Sequence, residues 1–211
     1  MPRIALIRAT PVVVQPVADA FAAGWLEVFV TNLLDDSLSP DLEARGKIDD
    51  ALIDRFLTLG RYTANTGADG ILFTCSAFGL AIEAVANELY PLPVLKPNEA
   101  TFEDALSAGD RLGMLATFKL SIPPMETEFR AMSREKESKA TLKTHWVEGA
   151  MDALRAGDAE THNGLIAEAA PDLSGCDTGM LAHFSTSQAR QAVADVLSSP
   201  SPPARSPNFA P

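Results

Sequence analysis

The sequence predicts an α/β fold built as two pseudo-symmetric, doubly wound lobes with mainly parallel sheets and a cleft between them for the active site. Three observations carry that expectation. Strand and helix patterns alternate from Arg3 to Ser198, and the alternation starts afresh at Arg111. Two segments also run in parallel, Asp69-Gly-Ile-Leu-Phe-Thr-Cys75-Ser-Ala-Phe-Gly and Asp177-Thr-Gly-Met-Leu-Ala-His183-Phe-Ser-Thr-Ser. Each reads as an aspartate, an apolar strand, a residue able to exchange protons, a small hydroxyl residue and the start of a helix. Cys75 and His183 fall at the same distance from their aspartates, 69 to 75 and 177 to 183.

The elements follow in order. Arg3–Arg8 is an apolar strand, and 11–23 holds a loop and a helix. Leu26–Thr31 reads as a second strand, followed by a polar loop through Asp35, Asp36, Ser37 and Pro40. Residues 46–66 form a long amphipathic helix, with Ile48, Leu52, Phe56 and Leu59 at helical spacing. Ile71–Thr74 is a buried strand that stops at Cys75, and the pattern Leu80–Leu89 is helical. Pro93–Pro97 is a short strand or crossover, and Asn98 reads as the N-cap of the next helix. In the second half, Arg111–Ala116 is a strand ending at Thr117, and Pro123–Arg134 is a helix. Thr141–Val147 is a strand, two helices occupy 148–171, Thr178–Ala182 is a strand and Ser185–Ser198 a helix. The division is therefore 1–97 for the first lobe with Cys75, and 98–184 for the second with His183. A helix at 185–198 returns toward the first lobe. The remainder, 199–211, is a Pro/Ser-rich irregular tail unable to supply a central strand.

Composition narrows the function. The chain has 211 residues, 46% hydrophobic and 21% charged, ordinary values for a globular protein. A net charge of −11 and scattered basic residues argue against nucleic acid. No run approaches a membrane span, and the amino terminus lacks a signal-peptide layout. Two cysteines, Cys75 and Cys176, sit in no metal or CxxC pattern, so the expectation is a reduced, cytoplasmic protein without disulfides. Thr10 and Pro11 stand where a dinucleotide fold would place glycines, and no phosphate loop, GxSxG or HExxH occurs. His145, His162 and His183 lack metal spacing. The sequence thus calls for no metal and no cofactor.

The chemistry concentrates at Cys75. A thiol at the carboxyl end of a buried parallel strand stands where open α/β sheets bind ligands. The helix beginning beside it aims backbone N–H groups and a positive dipole end at the same spot, which eases ionisation of a thiol. The bland alternative is a buried, inert cysteine. Arg8 reads either as a partner for a substrate carboxylate or as half of an ion pair. Lys96 and Glu99, in the crossover, read either as a solvated hinge or as residues that approach the cleft, and Met114, Met125 and Met180 read as core fillers. Trp25 and Trp146 read as core or interface residues.

The segments DGILFTCSAFG, PVLKPNEATFEDAL, RLGMLATFKLSIPPMETEF and DTGMLAHFSTSQAR together resemble the aspartate/glutamate/hydantoin racemase superfamily, which also holds arylmalonate decarboxylase and maleate isomerase. The resemblance implies two lobes that each offer one acid/base residue to a substrate carbon, with neither pyridoxal phosphate nor metal. It assigns Cys75 and His183 to proton transfer, and Thr10, Ser76, Ala77, Thr117, Phe184 and Ser185 to substrate binding. It implies a cofactor-independent isomerase that moves a proton beside the carboxylate of a small acid, with a homo-oligomer common among relatives. The alternatives are an arylmalonate-type decarboxylase with Cys75 as its sole proton donor, and a non-catalytic α/β binding protein with an incomplete site. Two departures stand out. His183 replaces the second cysteine of a standard racemase, and the tail replaces a last strand and helix that complete the first lobe.

Overall fold

Parallel β-sheets form the frame of each half of the chain. The structure, a computed structural model, describes residues 1–198 and 208–209. The chain divides into two units, Met1–Pro97 and Asn98–Pro211. In the first, β1 (Arg3–Arg8), β2 (Phe29–Leu34), β3 (Gly70–Phe73) and β4 (Val94–Leu95) align in the order β2-β1-β3-β4, all parallel. The crossovers are α1 (Val14–Gly24), α2 (Leu38–Arg45) with α3 (Asp50–Asn65), and α4 (Gly79–Leu89). Apolar runs such as Ala5-Leu6-Ile7 are buried on both sheet faces, as central parallel strands require.

The second unit repeats the plan. Helix α5 (Glu99–Ala108) leads into β5 (Arg111–Ala116), α6 (Ile122–Glu135), β6 (Thr141–Trp146), α7 (Ala150–Arg155) and α8 (Ala159–Ala169). Then come β7 (Thr178–Leu181), α9 (Arg190–Ser198) and β8 (Asn208–Phe209), in the sheet order β6-β5-β7-β8. A constant shift along the sequence relates the two units: Arg3 to Arg111, Asp69 to Asp177, Cys75 to His183. The equivalence is chemical as well as topological. Asp69 accepts the Arg3 backbone N–H at 2.7 Å, and Asp177 accepts that of Arg111 at 2.9 Å. The Arg111 side chain also binds Asp177, and these bonds hold the Asp177 carboxyl down to about 2.

Several boundaries differ from the sequence reading. The polar stretch around Pro40 is helical, because Leu38 and Leu42 bury one turn and Pro40 sits within the first turn, where no backbone donor is needed. Gly46, at φ +71°, ends α2 in the left-handed region, so the long helix starts at Asp50 rather than 46. Asp49 caps it, accepting the Leu52 N–H at 3.0 Å. Strand β2 begins at Phe29 rather than Leu26, which is 83% exposed. Asn98 precedes α5 without a side-chain cap; its buried amide instead donates to Glu128 Oε2 at 3.1 Å.

The cores follow the periodicity. Phe56 of α3 stacks on Phe73 of β3 at 5.2 Å and lies 4.8 Å from Phe78. In the second unit Phe102, Met114, Met125, Phe129 and Met180 form one buried cluster, so the three methionines are core residues. Ala189 and Val193, from the helix read as returning toward the first lobe, are buried with Leu115, Val147 and Ile166 of the second unit. Within the range read as an irregular tail, Asn208 and Phe209 pair in parallel with Thr178 and Gly179. They form a two-residue edge strand, where ladder bonding is needed on one side only. The rest of 199–211 lies outside the described residues. No helix among the described residues is long and apolar enough to cross a membrane.

Candidate active site

In the first unit, β1 and β3 lie side by side and end at the same edge of the sheet. The Thr74 N–H still donates to Ile7 O at 3.0 Å, so Cys75 is the first residue beyond the ladder. It is extended (φ −123°, ψ 117°) and heads a tight 3₁₀ turn, Ser76–Phe78, that runs into α4. Cys75 is half-buried, while Ser76, Ala77 and Phe78 are buried. Phe78 pins the turn through Phe56. Thr10 occupies the matching place after β1: it is extended (φ −160°, ψ 144°) and heads the turn Pro11–Val13 before α1. Both residues thus stand where a strand has ended and a turn leading into a helix begins.

The second unit builds the same corner. The Ala182 N–H donates to Leu115 O at 2.9 Å, and His183 (φ −134°, ψ 149°) heads the turn Phe184–Ala189 before α9. Thr186 locks this corner: its hydroxyl accepts the His183 N–H at 3.2 Å and donates to the His183 carbonyl at 2.6 Å. The imidazole reaches the neighbouring turn after β5. The Phe118 N–H donates to His183 Nε2 at 3.4 Å, and Ser121 Oγ lies 3.5 Å from the same nitrogen. Thr117 and Ser185 are buried, and the Thr117 hydroxyl has no hydrogen-bond partner among the described residues.

An Nε2 that accepts an N–H cannot carry a proton, so the His183 ring is neutral in this arrangement. Desolvation, with a smaller contribution from His162, pushes its pKa down to about 4. The linkage follows from the sign. The folded value lies below the ordinary one near 6.5, so the stability this group contributes is whole above about pH 6.5 and is lost as pH falls toward 4. In ¹H–¹³C spectra, the His183 ring resonances should therefore stay constant from pH 8 to 5.5 and move only near pH 4. Movement centred near 6.5 would show a solvated ring.

The eight residues singled out in the sequence form two sets of four: Thr10, Cys75, Ser76 and Ala77 at the edge of the first sheet, and Thr117, His183, Phe184 and Ser185 at the edge of the second. Sequence reasoning missed the Phe118 N–H and Ser121, although the shift relating the units places Phe118 opposite Thr10. It also offered Arg8 either as a partner for a substrate carboxylate or as half of an ion pair. Arg8 is buried and no carboxylate among the described residues pairs with it; it binds Asn32 Oδ1 and Val13 O instead. Lys96 meets Glu83 at 3.0 Å. Cys176 is buried under Gly113, and burial pushes its thiol up. Among the described residues, no three His, Cys, Asp or Glu side chains stand together as metal ligands.

Residues 10–180 match the sequence model of the Asp/Glu/Hydantoin racemase family. Three solved structures share the fold. A glutamate racemase from Francisella tularensis subsp. tularensis SCHU S4, in complex with D-glutamate, is 10% identical with a TM-score of 0.70, over 100% of this chain and 76% of that one. An allantoin racemase from Klebsiella pneumoniae is 16% identical with a TM-score of 0.68, over 93% and 80%. The aspartate racemase of Picrophilus torridus is 13% identical with a TM-score of 0.66, over 94% of both chains. No curated protein matches the chain.

Proposed function

Because the chain belongs to the Asp/Glu/Hydantoin racemase family, we propose that it is an isomerase that racemises a small carboxylic acid, an amino acid or a relative of one. Cys75 is the acid/base residue, and His183 is its counterpart. What supports this reading above all is the repeat: Cys75 and His183 hold equivalent positions, each extended, one residue past the ladder, at the head of a turn that opens a helix.

The chemistry asks for two things. A proton must leave the carbon beside a carboxylate, and the resulting enediolate charge must be met by donors already in place. The turns starting at Ser76 and Phe184 offer backbone N–H groups, and Thr10, Ser76, Thr117 and Ser185 offer hydroxyls. A neutral imidazole takes a proton and cannot give one. The Nε2 lone pair, on giving up its long bond from the Phe118 N–H, is thus assigned the accepting step when turnover starts from the neutral ring, and Cys75 the donating step. The reverse direction begins with a thiolate and an imidazolium.

The reading is tested in D₂O with single enantiomers of small amino acids and hydantoins. The expected result is loss of the α-proton signal together with loss of optical activity. Release of carbon dioxide from substituted malonates, with no α-exchange on any acid, would replace it with a decarboxylase.

A further inference from the structure

We infer that the first unit carries a second ligand site, a pocket for a small apolar monocarboxylate anchored by Arg8. The pocket is a cavity of about 260 Å³ between α1 and the β2 side of the sheet. Phe21, Trp25, Leu26, Val28 and Val30 give it apolar walls, and Arg8 and Asn32 supply its polar end. It is separate from the chemistry proposed above. None of Thr10, Cys75, Ser76 and Ala77 lines it, and β1 stands between β2 and the strand that delivers Cys75.

Arg8 is the reason to assign a ligand. It is 1% exposed, yet no carboxylate among the described residues offsets its charge. The Nε donates to Asn32 Oδ1 at 2.8 Å and Nη1 donates to Val13 O at 2.8 Å. The remaining nitrogen, Nη2, is buried and has no hydrogen-bond partner among the described residues. A buried guanidinium held on two sides by neutral acceptors is costly, and desolvation lowers its hold on the proton. Arg8 lines the cavity, and a carboxylate that reaches its guanidinium there supplies the missing charge and, where Nη2 turns to it, the missing acceptor. Asn32, whose oxygen already accepts from Arg8, has its amide nitrogen left to donate to the same group.

The rest of the cavity fixes the body of the ligand. Its walls are carbon apart from Arg8 and Asn32, so a second charge held inside it would be stranded, and a monocarboxylate suits it better than a dicarboxylate. At roughly 30 Å³ for each water-sized group, the volume suits about nine such groups, the size of a short-chain or single-ring acid. Trp25 at 44% and Leu26 at 83% exposure are large apolar surfaces at the rim that such a body would cover.

The test is calorimetric titration of the full chain with hexanoate and, as a neutral match, hexanamide. Hexanoate should bind one to one with a Kd of about 1 mM, and hexanamide at least about tenfold more weakly. Arg8→Met should abolish the difference between them. Since a buried residue can also matter for folding, Ala22→Trp provides an independent arm. Ala22 is exposed on α1 and lines the cavity, so the indole fills the space at a surface position, and binding should vanish at unchanged melting temperature. Equal affinity for acid and amide, hexanoate binding that survives Ala22→Trp, or no hexanoate binding at all would each overturn the site.

Discussion

Cys75→Ser is expected to slow α-proton exchange by about 10²–10⁴-fold, the usual worth of a positioned acid/base group. A serine keeps the size and the extended backbone of the site, so the turn Ser76–Phe78 and helix α4 should form as before. What changes is the proton. A hydroxyl gives up its proton far less readily than a thiol beside a helix start. The loss should therefore fall on kcat, with KM moved by less than about threefold. Cys176→Ser is the matched control. Cys176 is buried near Leu173 and the α-carbon of Gly113, so its replacement should lower the melting temperature while leaving kcat per folded molecule unchanged. A Cys75→Ser protein that retains kcat within about tenfold would remove the thiol from the reaction.

That contrast shows what the sequence makes legible and what it hides. Cys176 lies ahead of a strand, whereas Cys75 stands between the end of a strand and the start of a helix, and that order is written along the chain. The same local order made the parallel strands, the repeat of Asp69 and Asp177, and the position of His183 readable. The state of the His183 ring was not readable. It depends on the Phe118 N–H, 65 residues away, and on desolvation of the ring. Histidine by itself titrates near neutrality, and only its surroundings carry it down to about 4. Arg8 teaches the same lesson in reverse. An arginine after an apolar strand suggests an ion pair, but the fold brings it Asn32 and the Val13 carbonyl, both neutral. Helix α2 escaped notice because its buried face is only Leu38, Ser39 and Leu42, too short to set a period.

Phe56→Ala is expected to cost about 3–5 kcal/mol of stability, the range for emptying a buried aromatic site. For a chain of this size that lowers the melting temperature by about 6–20 °C, read by circular dichroism. Phe56 lies on α3 with 1% exposure, and its ring meets Phe73 before Cys75 and Phe78 after it. Removing it therefore takes away the common support of the two residues that bracket the thiol. The second expectation follows from that placement. Well below the melting temperature, the variant should still lose activity, since a turn released at Phe78 no longer holds the Ser76 and Ala77 N–H groups in fixed directions. Phe56→Leu separates the two effects: it refills most of the volume and gives up the ring contacts, worth about 0.5–1.5 kcal/mol each. It should recover most of the stability and most of the rate. If Phe56→Ala melts lower yet turns over at the full rate, the aromatic group supports the core alone, and the turn beyond Cys75 is held by its own burial.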